Sequence, residues 1–395
     1  MKNKIIMGLC FFVLAACQTS TKNATPVGAQ VEYQKFNIRK LTEVGVIEVS
    51  VAPQKNSAWP SVTEKKVDGL TVNSQTFSMA VIGDTGCRLK EKKSGDPNYQ
   101  ECQKPEEWRY PDLVKQLLRE KMDLVVHTGD YHYREQCSNP TACAVITKSI
   151  GFGWNAWWDD FYGPTQELFK KNTFLFVRGN HEACDRAYQG WKPLSNQSLV
   201  MNEACVGTEP FEINQIGDLI LINFDNSSFE ERGDMPAEAR LAWVQQFRDL
   251  SIRLGADLKH KEVWLLFHKP ALGFNPRKED AEPESISDRL LGVISETDLL
   301  TKIDYILSGH IHNQQIVLTK PKFKQFIVGN SGTSLEPFGR VIRSAQLISS
   351  TESKKNIGYA LFNRDGFKKW HIVYKDVEGN PNLSCSLNKQ KISCD

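Results

Sequence analysis

The chain has 395 residues, enough for one large domain or two modest ones. With 40% hydrophobic and 24% charged residues, its composition is that of a globular protein and excludes disordered and fibrous classes. The net charge is only +2, and basic pairs such as Lys65-Lys66 and Lys354-Lys355 are scattered, so there is no basic stripe and no nucleic acid is expected as a partner.

The first seventeen residues stand apart from the rest. Lys2 and Lys4 precede an apolar stretch, 5–16, that is too short to cross a bilayer comfortably. It ends in Leu14-Ala15-Ala16-Cys17 before a polar run, which is the layout of a cleaved export signal. The segment resembles the bacterial lipoprotein signal, in which the cysteine after small residues is lipidated and becomes the mature N-terminus. That resemblance implies lipidation at Cys17, with 18–30 as a flexible tether. Gln18, rather than Asp, follows the cysteine, which by resemblance to Gram-negative sorting implies the outer membrane, facing the periplasm or the cell surface. A plain signal peptide with a coincidental cysteine is the alternative. No other segment approaches eighteen consecutive apolar residues, so membrane contact is expected through the lipid anchor only.

Beyond Cys10 and Cys17, eight cysteines remain: Cys87, Cys102, Cys137, Cys143, Cys184, Cys205, Cys385 and Cys394. An even number in an exported chain points to four disulfides. They fall into sequential neighbours, so the expected pairs are 87–102, 137–143, 184–205 and 385–394, each contributing ~2–3 kcal/mol by closing a short loop. A cysteine metal site is the competing idea, but the chain has no CxxC pair.

Short alternating segments in 36–51 and 70–72 predict a few strands in a β-rich stretch, 31–75, ahead of the main domain. A strand-then-polar-loop unit then recurs. Residues 77–82 lead to Gly83-Asp84, 124–126 to Thr128-Gly129-Asp130, and 174–177 to Gly179-Asn180-His181. Residues 219–224 lead to Asp225-Asn226, 263–267 to His268, and 303–307 to Gly309-His310. Between them, 112–121 and 236–254 repeat apolar residues at helical spacing. Strands alternating with helices predict a layered α/β fold with its site at strand ends. The main domain is expected over 76–380. It closes with a hairpin of 357–362 and 370–374 around 363–366, followed by a disulfide-closed tail, 381–395. Insertions at 87–110 and 131–165 are expected to build the rims of the site.

The strand ends carry Asp84, Asp130, Tyr133, Asn180, His181, His268, His310 and His312. Singly each has an ordinary explanation, a helix cap for an Asp or a satisfied core position for a His. Jointly they offer oxygen and imidazole ligands from five strand ends, mostly beside glycines that let the backbone turn sharply. That mixture suits Fe, Mn or Zn. One bridging carboxylate with about three further ligands per ion fits two ions roughly 3.5–4 Å apart.

Gly83-Asp84-Thr85-Gly86, Gly129-Asp130-Tyr131-His132-Tyr133, Gly179-Asn180-His181-Glu182, His268 and Gly309-His310-Ile311-His312 resemble, in order, the signature of calcineurin-like metallophosphoesterases. Tyr133 makes the set similar to that of purple acid phosphatases. The resemblance implies a four-layer α/β/β/α sandwich and a ferric site of Asp84, Asp130, Tyr133 and His312. It implies a second, divalent site (Fe, Zn or Mn) of Asp130, Asn180, His268 and His310, bridged by Asp130. If Tyr133 is instead a rim aromatic, the first ion need not be Fe(III). His181 is implied as the group that contacts the phosphate and protonates the leaving oxygen, with Glu182 as its orienter. Arg178, His132 and Asn330 are candidate substrate contacts, against a surface ion pair for Arg178 and a turn role for Asn330. The implied activity is an acid phosphatase-type phosphomonoesterase acting on phosphate esters. A phosphodiesterase or nucleotide hydrolase of the same fold, or a catalytically idle surface binding protein, is the alternative.

Overall fold

In the computed structural model, short apolar strands pair into two large sheets that lie face to face. The structure describes residues 34–54, 57–70, 72–89, 99–137, 143–144, 146–197, 201, 203–275, 284–285, 288–319, 323–336, 347–350, 356–389 and 391–395. The export signal, the tether and Cys17 lie outside the described residues.

The first six strands are β1 (Phe36–Thr42), β2 (Gly45–Ala52), β3 (Ser61–Lys66), β4 (Ser78–Ile82), β5 (Leu124–His127) and β6 (Thr173–Phe176). Then follow β7 (Glu212–Ile216), β8 (Leu219–Asn223) and β9 (Glu262–Leu266), and a small separate hairpin of β10 (Phe274–Asn275) and β11 (Glu284–Ser285). The chain continues through β12 (Tyr305–Ser308), β13 (Gln314–Thr319), β14 (Phe323–Val328) and β15 (Leu347–Ser350). It ends with β16 (Gly358–Arg364), β17 (Lys369–Asp376), β18 (Pro381–Asn388) and β19 (Lys391–Cys394). One sheet runs β19-β18-β17-β16-β4-β5-β6-β1-β2-β3, and the other runs β15-β13-β14-β12-β9-β8-β7.

Strand alternation decides what each sheet buries on which face. In β8, Leu219 and Leu221 point into the space between the sheets, while Ile220 and Ile222 point outward. In β9, Trp264 and Leu266 point in, while Val263 and Leu265 point out. Met79, Val81, Leu124 and Val126 meet them from the first sheet. The outward set is covered by the helix Ala237–Leu254, whose Trp243, Val244, Phe247 and Leu250 form one helical stripe. Gly255, at φ 70°, ends that helix. On the outer face of the first sheet, Phe169 of the helix Gly163–Lys171 packs its ring on Phe174, with centroids 5.1 Å apart. The layers are therefore α/β/β/α, as the resemblance implied.

Strands from both ends of the described chain extend the first sheet. β1 runs parallel beside β6, pairing Lys40 with Phe174, so β1, β2 and β3 supply one edge of the first sheet. The tail 381–395 supplies the opposite edge as β18 and β19. Residues 34–395 form one unit. Leu70 and Val72 are not in a strand; they pack against the core as loop residues. In the closing hairpin, Asn363 and Arg364 still pair with β17, and the turn falls at 365–368. All four disulfides join the expected neighbours: Cys87–Cys102, Cys137–Cys143, Cys184–Cys205 and Cys385–Cys394. A buried polar knot also ties the sheets together. Glu262 of β9 accepts from Arg364 Nη2 at 2.8 Å and from Trp264 Nε1 at 2.9 Å.

Candidate metal centre

β4, β5 and β6 are parallel neighbours in one sheet, and β8, β9 and β12 in the other, so their carboxyl ends open at one place. Asp84, Asp130 and Asn180 follow the first three strands, and His268 and His310 follow β9 and β12. Asp84, Asp130 and His310 have φ of 56°, 57° and 72°, three of the five positive-φ non-glycine residues among those described. Such backbone costs about 1–3 kcal/mol per residue and persists only where its surroundings enforce it. Gly129, at φ 106°, has no room for a side chain, because a Cβ there would overlap the His268 ring.

The donor atoms form two groups that share one oxygen. Tyr133 Oη lies 3.0 Å from Asp84 Oδ1, 3.0 Å from Asp130 Oδ2 and 2.9 Å from His312 Nε2. His312 Nδ1 faces Ser334 O at 3.0 Å, so its proton belongs there and Nε2 offers a lone pair. One phenolic proton thus faces three acceptors. In the second group, His268 Nε2 lies 3.1 Å from Asp130 Oδ2, 3.1 Å from Asn180 Oδ1 and 3.2 Å from His310 Nδ1. His268 Nδ1 donates to Thr128 O at 2.8 Å, which again leaves Nε2 as an acceptor. The donor atoms of Asp130, His268 and His310 all lie within 4.8 Å of one another. Asp130 Oδ2 belongs to both groups. Converging lone pairs with too few protons between them are what a pair of cations satisfies, and a set of carboxylate, imidazole, amide and phenol donors fits Fe, Mn or Zn.

The electrostatics agree. Burial pushes Asp84 well above the usual carboxylate range, and the neighbouring Asp130 adds to the push. Burial opposes the charge on Asp130 as well, but His268 and His181 hold its carboxyl well below the usual range. Burial, then Asp130 and Asp84, raise the Tyr133 phenol well above its ordinary value. Burial, then Arg88, lowers His312. The protein's own charges do not suit ionised Asp84 and Tyr133; bound cations would reverse that.

Buried polar side chains absent from the predicted ligand set hold the loops in place. Asp160 accepts from Cys87 N at 2.7 Å and Tyr133 N at 2.6 Å, joining the loops that carry Asp84 and Tyr133. Asn226, at the end of β8, accepts from His268 N at 3.1 Å. Nothing in the sequence around 160 marks that role; for Asn226 the only signal was its place at a strand end.

Four of the expected contacts act differently. Glu182 does not orient His181. It is buried and accepts from Asp130 N at 3.1 Å, Tyr131 N at 3.0 Å and Gly179 N at 3.1 Å, clamping two ligand loops by their backbones. His181 Nδ1 is instead held by His132 O at 2.9 Å and lies 3.1 Å from Glu135 Oε1. His132 is not a substrate contact: it is fully buried, bonded to Gly151 O at 2.8 Å and stacked on Trp157. Arg178 is also buried. Its guanidinium meets Asp225 Oδ2 at 3.1 Å, Val206 O at 2.8 Å and Glu182 O at 3.0 Å, an ion pair in the interior and not at the surface as the alternative had it. Asn330 is buried and donates to Asn356 O at 2.8 Å, just ahead of β16. A cleft of about 660 Å³ opens on the His310 side, lined by Asn180, Asp185, Arg186, Glu231, Lys269 and His310. Its walls come mainly from 183–186 and 227–232.

A sequence profile described as calcineurin-like phosphoesterase matches residues 77–314, more than half of the chain. The chain belongs to the calcineurin-like phosphoesterase family. The two donor groups above are where a member of this family would hold metal ions. The fold is similar to that of the purple acid phosphatase PPD1 from yellow lupin (Lupinus luteus) seeds, at 14% identity and a TM-score of 0.52, covering 86% of this chain and 59% of that one. It is also similar to a structure of PhoD, at 12% identity and a TM-score of 0.56, covering 91% of each chain. The chain spans about three-fifths of the length of the lupin enzyme. No curated protein matches the chain.

Proposed function

We propose that the chain is a phosphomonoesterase of the purple acid phosphatase type, with Fe(III) held by Asp84, Asp130, Tyr133 and His312 and a divalent ion held by Asp130, Asn180, His268 and His310. The observation that carries this is Tyr133 Oη, buried 3.0 Å from both Asp84 Oδ1 and Asp130 Oδ2, a phenol inside the donor set and not on its rim. When bound, the two cations supply Lewis acidity, stabilising charge on the phosphoryl oxygens and acidifying the attacking water. The chain's own residues do the rest. Asp130 holds the two donor groups together. His181, with Nδ1 tied to His132 O, turns Nε2 toward Asp130 Oδ2, 3.8 Å away. From there it hydrogen-bonds the phosphate and passes a proton to the leaving alcohol. Protein purified without added metal should contain iron plus a second metal, show a visible tyrosine-to-iron band, and hydrolyse aryl phosphate in preference to diesters and nucleotides. A colourless protein with a preference for diesters would contradict the assignment.

We also propose that the chain is exported and anchored by lipid on Cys17, in the outer membrane. Eight paired cysteines support an oxidising compartment. Changing Cys17→Ala should move the protein from the membrane to the soluble fraction; an unchanged membrane fraction would contradict the anchor.

A further inference from the structure

Each candidate imidazole ligand is held from behind, and the backing groups differ. His268 Nδ1 meets Thr128 O and His312 Nδ1 meets Ser334 O, both neutral backbone carbonyls. His310 is backed by a carboxylate, its Nε2 lying 2.9 Å from Glu231 Oε2. Its Nδ1, 3.2 Å from His268 Nε2, is therefore the nitrogen turned toward the centre. The three rings also differ in how firmly packing fixes them. The His268 side chain is 0% exposed and that of His312 9%, but that of His310 is 22% exposed at the edge of the cleft. His310 is the ring that needs a further hold. Glu231 supplies it from the loop between β8 and the helix Ala237–Leu254, and with 14% of its side chain exposed it is mostly withdrawn from water.

We infer that Glu231 is a positioning residue for the divalent ion: it fixes the His310 ring with Nδ1 facing the centre and makes that nitrogen a stronger donor. A carboxylate that accepts the N–H of an imidazole pushes electron density onto the other nitrogen, more than a carbonyl does. The affinity of the His310 side is then set by a residue on the cleft wall that no motif contains. The Tyr133 side meets His310 at its backbone, where His310 N donates to Asp84 Oδ2 at 2.9 Å, and not at the ring that Glu231 holds, so it keeps its own affinity. The inference rests on the two-ion assignment of the proposed function.

The test uses the full chain, stripped of its weaker ion with a mild chelator and titrated with Zn²⁺ by calorimetry. Glu231→Ala should weaken Zn²⁺ binding by about 10–100-fold. Glu231→Gln, which keeps an acceptor without the charge, should fall between Glu231→Ala and the parent. The ion on the Tyr133 side, counted by elemental analysis, and the thermal unfolding midpoint should not change. Parent-like Zn²⁺ affinity in Glu231→Ala would overturn the inference, as would equal loss of both ions, which would mark Glu231 as a general structural residue. A parent chain that takes up no Zn²⁺ would overturn the two-ion assignment and the inference with it. A colourless parent contradicts only the iron assignment, and the Zn²⁺ comparison still decides the role of Glu231.

Discussion

Asp130 joins the two donor groups on a backbone that few residues tolerate. At φ 57° it is stable because Glu182 bonds its N–H from below while His181 N donates to its Oδ1 at 2.8 Å. Aspartate visits left-handed backbone more readily than larger side chains do. Tyr133 is the other decisive residue, because its single proton faces Asp84, Asp130 and His312 together. Changing Tyr133→Phe removes one donor from that side and nothing from the His310 side. The expected outcome, read by visible spectroscopy and elemental analysis, is loss of the band and of most iron, with the divalent ion retained. A variant that keeps the band would show that the phenol is not a ligand.

At the scale of elements, the loops that carry the candidate ligands are stapled close to them. Cys87 lies three residues beyond Asp84, Cys137 four beyond Tyr133, and Cys184 three beyond His181. The Cys184–Cys205 bond also lies against Arg178, whose Nη2 is 3.3 Å from Cys205 Sγ. Removing this bond by Cys184→Ser with Cys205→Ser should cost about 3 kcal/mol in the chain-entropy model. It should also loosen the loop that carries Asn180 and His181, so metal release on chelation should speed up before the protein unfolds. Release kinetics identical to the parent's would show that the staple does not steady that loop. The convergence of these loops was legible in the sequence because each places its glycine and its candidate ligand within a few residues. Asp160 and Glu231 were not, because they act on residues far away in the chain, and no local pattern records such a contact. Arg178 and His132 were misjudged for the same reason: Asp225 and Trp157, which engage them, come from other elements.

For the whole molecule, the centre straddles the two sheets. Asp84, Asp130, Tyr133 and Asn180 come from the first sheet's loops, and His268, His310 and His312 from the second's. Its geometry therefore depends on the core between the sheets, where Met79, Val81 and Val126 meet Leu221, Trp264 and Leu307, and on the knot of Glu262 with Arg364. Strand alternation made the α/β layering legible. It could not show that β1 would lie beside β6, or that β18 and β19 would extend the opposite edge, because pairing across the chain is a tertiary choice. The most direct test of the account is metal content and turnover of Asp130→Asn beside the parent. Asp130 Oδ2 is the one atom common to both donor groups, 3.0 Å from Tyr133 Oη and 3.1 Å from His268 Nε2. The account predicts two metal ions per parent chain, loss of most metal from Asp130→Asn, and roughly a 100-fold or greater fall in aryl phosphate hydrolysis. An Asp130→Asn protein that keeps both ions and its turnover would contradict it.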